Sequence, residues 1–170
     1  MHLAVKRRRE KMGWSEDQLA NFSHSREGHL RWCSHIDSRH GNAFFRGSYV
    51  SDEIKALMEH VPCSLDWYRW VQWHNRAIEV TEAQNLPVYY LYYERYSTAY
   101  NQTLGELLDF LELPSVESPM LFHTGKTYRD LYSDDEIKMA TQLVRALASP
   151  TCWNLIRHYF EDDEAYSVKS

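Results

Sequence analysis

Gly125-Lys126-Thr127 is the tripeptide that closes the phosphate-binding loop G-x-x-x-x-G-K-[ST], and it stands in the stretch "FHTGKTYRDLY". A full loop of that kind needs a glycine five residues earlier, a strand before it and a helix directly after it. Met120 occupies the glycine position, and Pro114 and Pro119 precede it closely. The next helix start falls only at Ser133, where "SDDE" reads as a capping box, the serine accepting from the helix and Glu136 reaching back. The tripeptide therefore lies in a loop that leads into a helix several residues later. By itself it reads as a glycine turn with a solvated lysine.

Other reactive residue types are scattered. Of nine histidines, His24/His29 and His35/His40 are spaced by five, so each pair diverges around a helix; H-E-x-x-H is absent and no metal site is expected. Cys33, Cys63 and Cys152 lie far apart with no C-x-x-C, and an odd count gives no disulfide framework, so three buried or idle thiols are expected. There is no G-x-S-x-G. Asp134, Asp135 and Glu136 suit the first turn of a helix, where the macrodipole favours negative charge. Glu94 follows an apolar run, and pairing with Arg95 or capping the next helix accounts for it.

These groups must be positioned by elements the chain can build. At 170 residues, with 44% apolar and 14% aromatic composition, it suffices for one domain with a core. A net charge of −5 argues against general nucleic-acid binding. No 18-residue apolar run marks a membrane span, and no signal-peptide core follows Met1. Two N-glycosylation triplets, Asn21-Phe22-Ser23 and Asn101-Gln102-Thr103, are of a kind that arises often by chance. "KRRREK" (Lys6 to Lys11) reads as a solvated helix face, with an address or anionic-surface contact as the sharper alternative.

Along the chain, Ser15 to Gln18 caps a helix carrying Leu19, Phe22, Leu30, Cys33 and Ile36, divided at Gly28 and ended by Gly41. Gly41 to Tyr49 is expected to be a loop. Ser51 or Asp52 caps a short helix that Pro62 ends. Ser64 opens a long aromatic helix with Trp67, Trp70, Val71, His74, Ala77 and Ile78 on the core side. Val88 to Tyr93 is β-branched, aromatic and apolar, bounded by Pro87 and a charged pair; it reads as a strand buried on both faces. Tyr100 to Leu113 is helical through Leu104, Leu107, Leu108 and Leu111. Asp134 to Leu147 is a helix with Ile137, Ala140, Thr141 and Val144 inside. Ser149 and Pro150 start the last one, which leads to an acidic tail over 161–170. The pattern predicts an α/β fold, mostly helical, with one central strand over about 88–94 in a single incomplete domain over 1–160. A buried strand needs neighbours on both sides, so either its partner strands belong to sequence not present here or the fold is mainly helical and the segment is no strand. A short strand near Met120 to Phe122 is the nearest other.

"VYYLYYERYSTAYNQTLGELLDFLELP" (Val88 to Pro114) resembles the sulfotransferases that use 3′-phosphoadenosine 5′-phosphosulfate. In that family a hydrophobic strand ends in Tyr-Glu, here Tyr93-Glu94. A helix then runs as Leu104 to Pro114 does. Trp67 to Ile78 is similar to the family's preceding helix. The likeness covers roughly 60–160. It implies the C-terminal part of a three-layer, P-loop-type domain: a natural fragment, a chain lacking its N-terminal half, or a degenerate paralogue. It also implies that Gly125, Lys126, Thr127, Tyr128 and Arg129 bind the donor, closing over its 3′-phosphate, with Tyr128 either near the adenine or packed into the core under the loop. Basic groups and backbone N–H donors suit a phosphate monoester.

The family's first donor loop, its general base and its Arg…Ser pair are not found, so no catalytic residue is assigned. Sulfuryl transfer to a hydroxyl or amine is expected of a complete domain only. The acceptor, and the choice between cytoplasm and Golgi lumen, stay open. The alternative is a non-enzymatic helical protein-interaction module, with aromatic side chains forming a partner surface and oligomers as its sign.

Overall fold

A computed structural model describes residues 21–22, 25–45, 50–114 and 128–161. Helices α1 (Arg26–Phe45), α2 (Asp52–Glu59) and α3 (Ser64–Ala83) come first, then α4 (Arg95–Thr98) and α5 (Tyr100–Phe110). A 3-10 turn (Arg129–Leu131) leads into α6 (Asp134–Leu147), α7 (Pro150–Ile156) and α8 (His158–Glu161). The chain divides into two compact units, Met1–Val80 with Arg129–Ser170, and Thr81–Tyr128.

Caps explain where helices begin. Ser51 Oγ accepts from Ile54 N, Ser149 Oγ from Cys152 N with Pro150 in the first turn, and the Ser133/Glu136 capping box forms in full. The start of α3 is capped from outside: Asp37 on α1 accepts the Leu65 amide at 3.1 Å. Helix α1 runs through both Gly28 and Gly41, which were expected to divide and end it. Glycine weakens a helix by only about 1 kcal/mol, and burial of Trp32, Cys33 and Ile36 outweighs that.

The core of the first unit is built by α3 and α6. Val71 and Ile78 meet Val144, Cys152 and Ile156, while Met58 and Val61 meet Ala140 and Leu143. Trp67 and Trp70 cover this core as half-buried rings, edge to face at 6.3 Å. Asn75 locks the joint between α6 and α7: its Nδ2 donates to Leu147 O at 2.8 Å, and its Oδ1 accepts from Ser149 N at 2.9 Å.

The α/β expectation is overturned. The regular structure among the described residues is helical, with no strand and no sheet, so neither a central strand over 88–94 nor a three-layer P-loop-type domain is present among them. Residues 86–92 have no regular secondary structure. The reason is physical. β-branched and aromatic residues favour a pleated, half-buried surface, but only a neighbouring strand can satisfy the backbone. Without one, Val88, Tyr90 and Leu91 stand exposed. The segment is held instead by side chains of α5. Tyr89 Oη donates to Glu106 at 2.9 Å, and its ring lies 5.7 Å from that of Phe110. Helix α5 stops at Phe110, earlier than the expected Leu113, and Glu112 takes a left-handed φ of 54° just beyond it.

Candidate functional site

The segment read as donor-binding is described only at its end. Gly125, Lys126 and Thr127 lie outside the described residues, as do the Ser15 capping box, "KRRREK", Met120 to Phe122 and the tail from 162. Tyr128 and Arg129 are described, and both are exposed. Tyr128 is 41% accessible.

The residues just after Arg129 are firmly anchored. Leu131 is buried, and the Tyr132 ring meets His29 at 4.9 Å and Trp67 at 6.4 Å. Arg26 on α1 grips the same place. Its Nη1 donates to Leu131 O at 2.9 Å and to Glu136 Oε2 at 2.8 Å, and its Nη2 donates to Glu136 Oε1 at 3.0 Å. This is a forked guanidinium–carboxylate pair, the strong geometry for such contacts. The hydrogen bond from Arg26 holds the Glu136 carboxyl below its usual range. Glu136 also accepts the Ser133 amide at 2.7 Å, closing the capping box. One carboxylate thus fixes the start of α6, while its charge is matched by Arg26.

Burial pushes the Tyr132 phenol up to about 12, so it is neutral throughout the physiological range. His29 is buried, and desolvation pulls its imidazole below the ordinary value. Its Nε2 lies 3.4 Å from Cys33 Sγ. Here the cysteine expectation fails. Cys33 and Cys63 form a disulfide with Cα atoms 4.3 Å apart, and only Cys152 is a free thiol. His29, Cys33 and Cys63 together have the ligand types of a metal site. Thiolates ligate metals, and the sulfurs of a disulfide are not thiolates. Histidine–histidine spacing gives no hint of this cluster. The signal for it is mixed: His29 and Cys33 are four apart, which puts them on one helix face.

A cleft of about 330 Å³ adjoins the disulfide, lined in part by Cys33, Asp37, Glu59, His60 and Ser64. Its two carboxylates make it a poor seat for a phosphate. In the second unit, Glu106 gathers Gln102 at 2.8 Å, Tyr89 at 2.9 Å and Arg95 at 3.1 Å. These hydrogen bonds, Gln102 first, hold its carboxyl low. Arg95 therefore pairs with Glu106, while Glu94 sits at the N-cap of α4 without a side-chain cap bond. No catalytic constellation of base and nucleophile is assembled among the described residues.

No helix among them is long and apolar enough to cross a membrane. No family model, curated protein or solved structure matches the chain.

Proposed function

We propose that this chain is a sulfotransferase-family protein whose segment Gly125, Lys126, Thr127, Tyr128 and Arg129 binds the 3′-phosphate of 3′-phosphoadenosine 5′-phosphosulfate. The observation that carries the reading is how the chain just beyond this segment is held. Tyr128 and Arg129 are exposed, while the nearby Leu131 and Tyr132 are fixed against the core and Arg26. A ligand-binding loop gains from such an anchor, because less ordering remains to be done on binding. The sequence likeness over Leu104 to Pro114 supplies the donor's identity. The proposal rests on the loop and makes no use of a sheet.

In sulfuryl transfer the acceptor oxygen or nitrogen bonds to sulfur as the sulfur–phosphate oxygen bond breaks, with the acceptor proton going to a base. No residue of this chain is assigned that base, and the acceptor is not specified. Calorimetric titration with adenosine 3′,5′-bisphosphate tests the binding claim. Saturable binding that is lost in Lys126→Ala is expected; equal binding by that variant removes Lys126 from the site.

A second reading, a non-enzymatic interaction module, is favoured by one observation. In the second unit Leu86, Val88, Tyr90, Leu91, Leu111 and Leu113 are all exposed. Apolar surface in such quantity is a common mark of a protein partner. Size-exclusion chromatography with light scattering tests it. Oligomers or a co-purifying protein support it, and a nucleotide-binding monomer at all concentrations rejects it.

A further inference from the structure

We propose that this protein matures in an oxidising, glycan-adding compartment and carries N-linked glycan on Asn21 and Asn101. The first observation is the Cys33–Cys63 disulfide, which joins α1 to the residue preceding α3 across 30 residues. Both sulfurs belong to buried residues of one hydrophobic cluster, so the bond is part of the fold's interior. Structural disulfides of this kind persist where thiols are not held reduced by glutathione and thioredoxin. Forming it removes two electrons and two protons from the thiols, which pass to a disulfide-bearing oxidant of the thiol-exchange class.

The second observation concerns the two triplets. A sequon in the sequence says little, but an N-glycan also requires an asparagine that the folded chain leaves on its surface. Asn21, in a turn before α1, and Asn101, in the first turn of α5, are both exposed. Among the described residues neither side-chain amide is used in a hydrogen bond, so a glycan on Nδ2 displaces nothing.

The third observation is Thr103. Its side chain is fully buried, and among the described residues its hydroxyl has no hydrogen-bond partner. A buried unsatisfied hydroxyl is a cost to the fold, and valine would fill the same volume without it. The hydroxyl therefore serves no packing purpose, whereas the sequon requires it. Its burial also orders events: Asn101 must be modified before α5 packs. In the transfer, Asn Nδ2 loses a proton and bonds to the anomeric carbon of a lipid-pyrophosphate-linked oligosaccharide, whose sugar–phosphate bond breaks.

The proposal is independent of the sulfotransferase reading. The test is peptide mass mapping of the native protein from its source. It is digested without reductant, after an amidase treatment in heavy-oxygen water that converts glycosylated asparagine to labelled aspartate. The expected result is labelled aspartate at 21 and 101, a linked Cys33–Cys63 peptide, and Cys152 recovered as the alkylated thiol. A label at either position with the disulfide intact supports the proposal. Unmodified asparagine at both, or Cys33 and Cys63 alkylated without prior reduction, overturns it.

Discussion

Arg26 and Glu136, 110 residues apart in sequence, form a forked ion pair in which Arg26 also binds the Leu131 carbonyl. The pair ties α1 to the first turn of α6 and fixes the chain just after Arg129. Glu136 is mostly covered and Arg26 is 42% accessible, so screening limits what the charges contribute. Arg26→Ala and Glu136→Ala are each expected to lower stability, and the double mutant to lose less than the sum of the two. Urea unfolding of the four proteins measures this, and strictly additive losses would show that the fork contributes nothing.

Reduction of the Cys33–Cys63 bond frees a 30-residue span. Chain-entropy reasoning puts the loss near 3 to 4 kcal/mol, or about 10 °C in melting temperature for a chain of this size. Cys33→Ser with Cys63→Ser is expected to match the reduced protein. Cys152 is inaccessible, and burial raises its thiol, so it should resist alkylation until the chain is unfolded. A melting curve unmoved by reductant would remove the disulfide from the account of stability.

The titrating groups predict stability that falls at both extremes of pH. His29 is depressed in the folded chain, so the unfolded state takes up the proton first. Stability is then lost as pH falls below about 6.5. Glu136 and Glu106 are also depressed, and their contribution disappears as pH falls through the carboxylate range. Tyr132 is raised to about 12, so stability present below the free phenol value of about 10 is lost as pH rises past it. His29→Gln should flatten the limb near pH 6, and Tyr132→Phe the alkaline one, in denaturant midpoints measured against pH. Unchanged limbs in these variants would assign the titration to other groups.

Core and surface leucines should separate sharply. Leu143, on α6, is fully buried in the cluster it shares with Met58 of α2, whereas Leu111 beyond α5 is 49% exposed. Leu143→Ala is expected to cost about 2 to 5 kcal/mol, and Leu111→Ala less than about 0.5 kcal/mol. Comparable losses from the two, read by thermal unfolding, would mean that Leu111 is covered by a partner.

Local signals proved the most legible. Ser51, Ser133 and Ser149 cap the helices their spacing announces, because a hydroxyl before an apolar period has few competing uses. The stripe of α3 was equally clear, since Val71 and Ile78 are buried where the period puts them. Val88 to Tyr93 misled, because strand formation depends on a neighbour that no local property of the segment reveals. The disulfide was hidden for a similar reason: only the packing of α1 against the start of α3 brings Cys33 to Cys63. The Arg26 fork at the candidate site is a contact between distant residues, and nothing in either local sequence announces it.

The most direct test of the donor-binding account compares two nucleotides by calorimetry on the unmodified chain. Adenosine 3′,5′-bisphosphate carries the phosphate assigned to Lys126 and Arg129, and adenosine 5′-monophosphate lacks it. The account predicts that the bisphosphate binds at least about tenfold more tightly, roughly 1.4 kcal/mol, and that Lys126→Ala with Arg129→Ala erases the difference. Equal affinity for the two nucleotides, or no binding of either, would contradict it.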